Sequence, residues 1–434
     1  MFRLMQRSLL LFVLFLLVRY SCASTTLTYD GIIYHKYSDH VTVGGPVSKS
    51  LITTAQIRET VFGMYVQYIG AAAFENCASM KEITLPSKLL YISEQAFTNC
   101  SRLRSIVLPN TMEKINAKAF SGCSNLASIN FPGSLKHIGD RAFLNCTSLT
   151  EAYLPNGMSS IGTSVFKGCT NLLSIHIPES FNFIPDSLCQ NCSNLTTVLI
   201  DAPIETIGAR AFENCESLLH CETPTVRYIS DYAFQNCGLT TVTLSKNLYY
   251  LGYYAFCNCD RLRTVVFSEG TTKVSIRRHA FENCINLDTV ILSNSVFMIY
   301  ESAFKNCKKL SKITIPASVT KSIEASAFEG CTALDSVTCL IEEPYAFGKD
   351  AFKNISPTCV LTVPYGKRAA YIAAGWTTKV FKGGIVELPA PEGIQAVKVK
   401  TDDKGRWYDL EGKETHQPEK GKIYIRKSKK VLVK

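Results

Sequence analysis

Eighteen cysteines are the first chemically capable residues to stand out in this 434-residue chain. Closely spaced thiols can exchange disulfides, hold zinc or staple a small exported domain. Two pairs invite that reading, Cys189-Gln-Asn-Cys192 and Cys257-Asn-Cys259. Yet twelve of the cysteines keep time, at positions 77, 100, 123, 146, 169, 192, 215, 237, 259, 284, 307 and 331. Thiols repeating on stacked units point the same way, about one strand spacing apart (~4.8 Å), and do not converge as a bridge or a tetrahedral zinc site requires. Both cysteines of the C-x-x-C fall on core positions of the repeat. Cys221 and Cys339 take inward strand positions and Cys359 lies on a last strand, so all of these read as small buried residues with inert thiols. Cys257 is off the pattern and reads as an exposed thiol.

The seven histidines do not gather. His176 and His220 fall on outward strand positions, His137 and His279 in turns, and His35, His40 and His416 outside the periodic region. No Ser/His/Asp grouping, Gly-rich phosphate loop or paired-carboxylate frame rises above the repeat background. The chain therefore reads as a non-enzyme, with no catalytic, cofactor-binding or metal-binding residue to name.

What must position these residues is the repeat itself. Ala142-Phe143-Leu144-Asn145-Cys146 returns with each ladder cysteine, and five residues before each Phe position stands an aliphatic: Ile69, Ile92, Ile115, Ile138, Ile161, Ile184, Ile207, Ile229, Leu251, Ile276, Ile299 and Ile323. Between them runs an L-x-x-L-x-L stretch such as Leu126, Ile129 and Phe131, then Pro132 and a turn. This pattern at a period near 23 predicts a leucine-rich-repeat solenoid, mainly β with α/β-type coils, of about 12–13 repeats. A lone coil buries about six apolar side chains at roughly 1.5–3 kcal/mol each, against roughly 1–2 kcal/mol of backbone entropy per residue. Only stacking tips that balance.

The chain divides into a signal peptide (1–23), an N-terminal cap (24–60), the repeats (61–363), a C-terminal cap (364–386), and a linker with a small basic β module (387–434). Arg3 and Arg7 precede the apolar run Ser8–Val18, and Ser21-Cys22-Ala23 offers a cleavage site. Eleven apolar residues are too few for a membrane-spanning helix. Cys22 would suit lipidation, but Arg19 stands where a lipid-attachment motif wants Leu. Tyr29–Tyr34 and His40–Val43 read as two strands of a hairpin, and Lys367–Trp376 as a capping helix. Residues 397–434 carry twelve Lys and Arg against six Asp and Glu, so most of the positive charge beyond the signal segment sits in the tail. The repeats hold no basic stripe with interleaved aromatics, which argues against nucleic acid as a partner.

One residue between the two inward positions of each strand faces out. In three successive coils it is Tyr153, His176 and Leu199, with Val107, Val266 and Ile291 at the same place elsewhere. These residues satisfy β propensity on a solvated sheet, or they form an exposed apolar patch for a protein partner.

The frame L-x-x-I-x-L-P … I-G-x-x-A-F-x-x-C resembles the BspA-like leucine-rich-repeat family over residues 57 to about 386. Trp407-Tyr408-Asp409-Leu410-Glu411-Gly412-Lys413 … Gly421-Lys422-Ile423-Tyr424-Ile425 looks like a C-terminal sorting or surface-attachment module of Gram-negative anaerobes. The resemblance implies a secreted or outer-surface protein that adheres to proteins of a host or neighbouring cell through its concave sheet. It carries no catalytic or ligand residues with it. A surface glycan-binding protein and a structural surface component are the other readings; a row of outward aromatics would favour the glycan.

Overall fold

The computed structural model describes residues 25–390, except 202 and 223, and the backbone of four short strands between 407 and 432. The signal-peptide reading, and most of the linker and tail with His416, lie outside the described residues.

Most coils contribute two short strands to two parallel ladders, giving a β-solenoid of stacked turns. The first ladder uses the L-x-x-L-x-L stretch, as in Glu151–Tyr153, Ser174–Ile177 and Thr197–Ile200. Residue pairs there match in register, Tyr153 with His176 and His176 with Leu199. The second ladder ends on the aliphatic of each repeat, as in Tyr91–Ile92, Lys114–Ile115 and His137–Ile138. These strands are two residues long, too short for an alternating pattern to announce them. His137 consequently lies on a strand, not in the expected turn, with Nδ1 2.7 Å from Ser160 Oγ.

The A-F-x-N-C segment forms consecutive turns, not helix. Alternate amides close those turns, as Leu144 N–H does onto Arg141 C=O (3.1 Å) and Cys146 N–H onto Phe143 C=O (3.2 Å). The amides between them leave the coil: Arg141, Phe143 and Asn145 donate to the carbonyls of Thr163, Val165 and Lys167 in the next one. This segment turns through the left-handed region twice per coil, at Arg141 (φ 56°) and Asn145 (φ 58°). The second position is Asn or Gly before every ladder cysteine, the residues that best tolerate that conformation. Where asparagines follow one another their amides also chain, Asn236 to Asn214 and Asn214 to Asn191 at 2.6 Å.

Inside, the Phe rings stack into two columns, Phe74 to Phe166 and Phe212 to Phe352, with centroids 5.1–5.5 Å apart and planes within 16°. The break between the columns is Cys189, which holds a Phe position. Each ladder thiol from Cys100 to Cys331 donates to the carbonyl of that Phe position one coil earlier, at 2.9–3.3 Å. All seventeen described cysteines are free thiols.

The caps differ in detail from the sequence expectation. Tyr29–Tyr34 is not one strand: Asp30-Gly31 makes a tight turn at φ 50° and 75° between strands Thr25–Tyr29 and Ile32–Lys36. Asp-Gly between β-forming residues is the chemistry of such a turn. The next strand, Val41–Pro46, pairs antiparallel with Ile32–Lys36 and parallel with Met64–Ile69, joining the cap to the second ladder. At the other end the helix spans Arg368–Ala373, and Gly384–Glu387 adds a last parallel strand to Val360–Val363. Trp376 and Phe381 bury themselves over Phe352, with Tyr371 packed edge-on against Trp376, and close the core. Trp407–Tyr408, Glu414–Thr415, Ile423–Arg426 and Lys429–Leu432 form a separate antiparallel sheet of four strands. Among the described residues no helix is long and apolar enough to cross a membrane.

Candidate functional site

The six outward residues singled out from the sequence meet different fates on the first ladder. Val107 (75 % exposed), Tyr153 (65 %), Leu199 (51 %) and Ile291 stand in solvent, and Val266 is half-buried. His176 is only 4 % exposed, against expectation.

A proline explains the burial of His176. In the following coil Asp201 N–H donates to Ile177 C=O (3.1 Å). The equivalent residue one coil earlier is Pro178, which has no N–H and leaves the Leu154 carbonyl short of a donor. His176 folds over to supply one from Nδ1 (2.9 Å), while Nε2 meets the Asp201 carboxylate at 2.7 Å. A carbonyl thus faces one ring nitrogen and a carboxylate the other. Tyr153 covers the imidazole, stacked at 4.1 Å and 8°. Asn130 performs the same repair beside Pro132: its side chain accepts from Leu108 N–H (2.9 Å) and donates to Leu108 C=O (3.0 Å).

The result is a preorganised cluster. Tyr153 is held flat by His176, His176 is anchored by Leu154 and Asp201, and Leu199 projects one strand further along. Next to it the ladder breaks. Thr197–Ile200 ends its sheet, because His220, Cys221 and Glu222 form no strand. Two of the inward positions of that coil carry Cys221 and, in the sequence, Thr223, where the flanking coils have Val198 and Ile200 before and Val242 and Leu244 after. A groove of about 630 Å³ opens there, lined by Leu199, Ile200, Asp201, His220, Cys221 and Glu222. Cys221 is only half-buried at its wall, and loss of water contact still pushes its thiol up to about 12.

The thiols elsewhere are not poised for chemistry. Cys257, expected at the surface, is buried at 3 % exposure. Cys189 and Cys192 are both fully buried, and burial raises the Cys189 thiol well above its ordinary range. Among the described residues no three His, Cys, Asp or Glu gather as a metal site.

Sequence reasoning missed the aromatic rows on the second ladder. Tyr37 stacks on His40 (4.7 Å), Tyr68 leans tilted against His40 (4.2 Å) and Tyr91 tilted against Tyr68 (4.9 Å), with the Lys114 ammonium beyond. Arg210, Tyr232, Tyr254 and His279 form another column along the turns. The signal was present: the residue just before the aliphatic of each repeat is Tyr at 68, 91, 228 and 250.

A family model described as BspA type leucine rich repeat region (6 copies) matches residues 49–150, 90–219, 182–276 and 227–359. Among solved structures, a leucine-rich repeat protein from Bacteroides ovatus is similar at 26% identity and a TM-score of 0.66, over 84% of this chain and 100% of that one. The Treponema pallidum leucine rich repeat protein is similar at 29% identity and a TM-score of 0.42, over 45% of this chain and 91% of its own. A leucine rich cell surface protein from Faecalibacterium prausnitzii is similar at 18% identity and a TM-score of 0.40, over 82% and 98% of the two chains. No curated protein matches the chain.

Proposed function

Since the chain belongs to the BspA-type leucine-rich-repeat family, we propose that it is an exported surface protein that adheres to protein partners on a host or neighbouring cell. The observation that carries this reading is the cluster of Tyr153, His176, Asp201 and Leu199 beside the groove at the ladder break. An exposed ring already fixed by stacking loses little entropy when a partner covers it. Val107 before this cluster and Val266 with Ile291 beyond the break offer further apolar points on the same side of the stack, and the reading contains no catalytic step. The terminal four-stranded sheet is proposed to attach the chain to the cell surface.

The test is binding of the full chain to panels of extracellular-matrix and plasma proteins. Tyr153→Ala with Leu199→Ser is expected to weaken binding at least tenfold while the melting temperature stays within about 2 °C, since both side chains point away from the core. Full binding by that double variant would place the site elsewhere. Removing residues 391–434 is expected to leave the melting temperature unchanged and release the protein from the cell surface. Retention at the surface would rule out the attachment role.

A further inference from the structure

The second ladder carries a site of a different chemistry. Thr206, Tyr228 and Tyr250 are neighbours in register on successive strands. Tyr249, 58 % exposed, meets Tyr228 edge-on with centroids 5.7 Å apart. The step from Tyr228 down to the short Thr206 opens a groove of about 420 Å³, whose lining includes Tyr228, Asp231 and Tyr250. Asp231 is fixed in place: its Oδ1 accepts from Tyr250 O–H (3.0 Å) and from Tyr253 N–H (2.9 Å). Arg277 lies over the Tyr250 ring at 4.5 Å and donates to the Tyr253 hydroxyl at 3.0 Å. Arg227 stands exposed beside Tyr228, at 5.7 Å from its ring. Among the described residues neither guanidinium has a carboxylate within ion-pair distance, whereas Arg58, Arg210 and Arg278 each do.

Each part has a chemical implication. Fixed tyrosine rings offer flat apolar surface with a polar edge, which suits the C–H face of a pyranose. The second oxygen of Asp231 is left to accept from sugar hydroxyls. Two guanidinium groups without an acidic partner suit a planar carboxylate or a sulfate, which their fork geometry can bind in pairs. The groove lies in the size range of small-ligand sites. We propose that Tyr228, Tyr249, Tyr250, Asp231, Arg227 and Arg277 form a binding site for an acidic glycan, a chain of pyranose rings bearing carboxylate or sulfate groups. This site stands on the other ladder from Tyr153 and Leu199 and operates without them.

Native electrophoresis of the full chain through gels containing polygalacturonate tests this. Matched gels hold dextran, a neutral glycan, or poly-aspartate, a polyanion without sugar. Polygalacturonate is expected to retard the chain more than either comparison polymer. Tyr249→Ala, which changes no charge, and Arg227→Lys, which keeps charge but removes the fork, are each expected to weaken retardation at least tenfold with unchanged melting temperature. Tyr153→Ala is expected to have no effect. Equal retardation by poly-aspartate would reduce the effect to charge attraction by the basic tail and overturn the proposal. Equal retardation by dextran, or an undiminished Tyr249→Ala variant, would overturn it as well.

Discussion

Each ladder cysteine combines two properties that Ser and Ala offer only singly. The thiol is comfortable without water, and its weak S–H still supplies a donor to a carbonyl of the preceding coil. Cys146→Ala should cost about 1–2 kcal/mol, from the lost donor and the small void, read as a shift in chemical denaturation. Burial also makes the interior thiols sensitive to alkali. It pushes the Cys77 and Cys257 thiols up to about 12 and Cys339 to about 11. The unfolded thiol ionises first, near its ordinary value of roughly 8.5, so the unfolded chain sheds protons that the folded one keeps. The thiols' contribution to stability should be constant below pH 8 and be lost as pH climbs from about 9 towards 12. Denaturation midpoints at pH 7, 9 and 10.5 check this, and a midpoint unchanged at pH 10.5 would contradict it. His176 was not legible as buried at this scale. Its position in the repeat says outward, and only the missing N–H of Pro178 turns the ring inward.

The element that repeats most faithfully is the turn segment, and its two determinants can be separated by substitution. Asn145→Ala places an ordinary side chain at φ 58° and should cost about 1–2 kcal/mol, whereas Asn145→Gly should be near neutral. Phe143→Ala removes a ring stacked at 5.3 and 5.5 Å between Phe120 and Phe166, at a cost of about 3–5 kcal/mol. A denaturation midpoint equal to wild type for Phe143→Ala would sink the continuous-core account. The solenoid, the inward aliphatics and the Phe column were legible because a shared core demands the same residue at the same place in every coil. The second ladder was not, since a two-residue strand such as Lys114–Ile115 shows no alternation and is held by the coils on either side. Tyr153 and Leu199 were legible as exposed, but the groove beside them arises from a coil that departs from the repeat at Cys221.

On the scale of the whole molecule two interruptions fall close together. The Phe column stops at Cys189 and the first ladder stops after Ile200. Nearest-neighbour contacts carry the stability of a stacked array, so opening should start between these coils. Hydrogen exchange is expected to show amides of residues 192–226 opening at lower free energy than those of residues 97–166, and uniform protection would refute it. The outward-donating turn amides have a consequence for the ends of the stack. Their N–H bonds all point towards the C-terminal coil, so the spine has a direction. At its start Gly45 presses on the Ala73 carbonyl, an acceptor of this row, so tightly that a side chain there would collide. At its finish Phe352 and Asn354 have no further coil to receive their N–H groups. One end offers acceptors and the other donors, so bare stacks would join head to tail, an arrangement that never closes and grows into a filament. The Val41–Pro46 strand and the Trp376–Phe381 lid thus act as chain terminators, whose loss would let stacks add end to end.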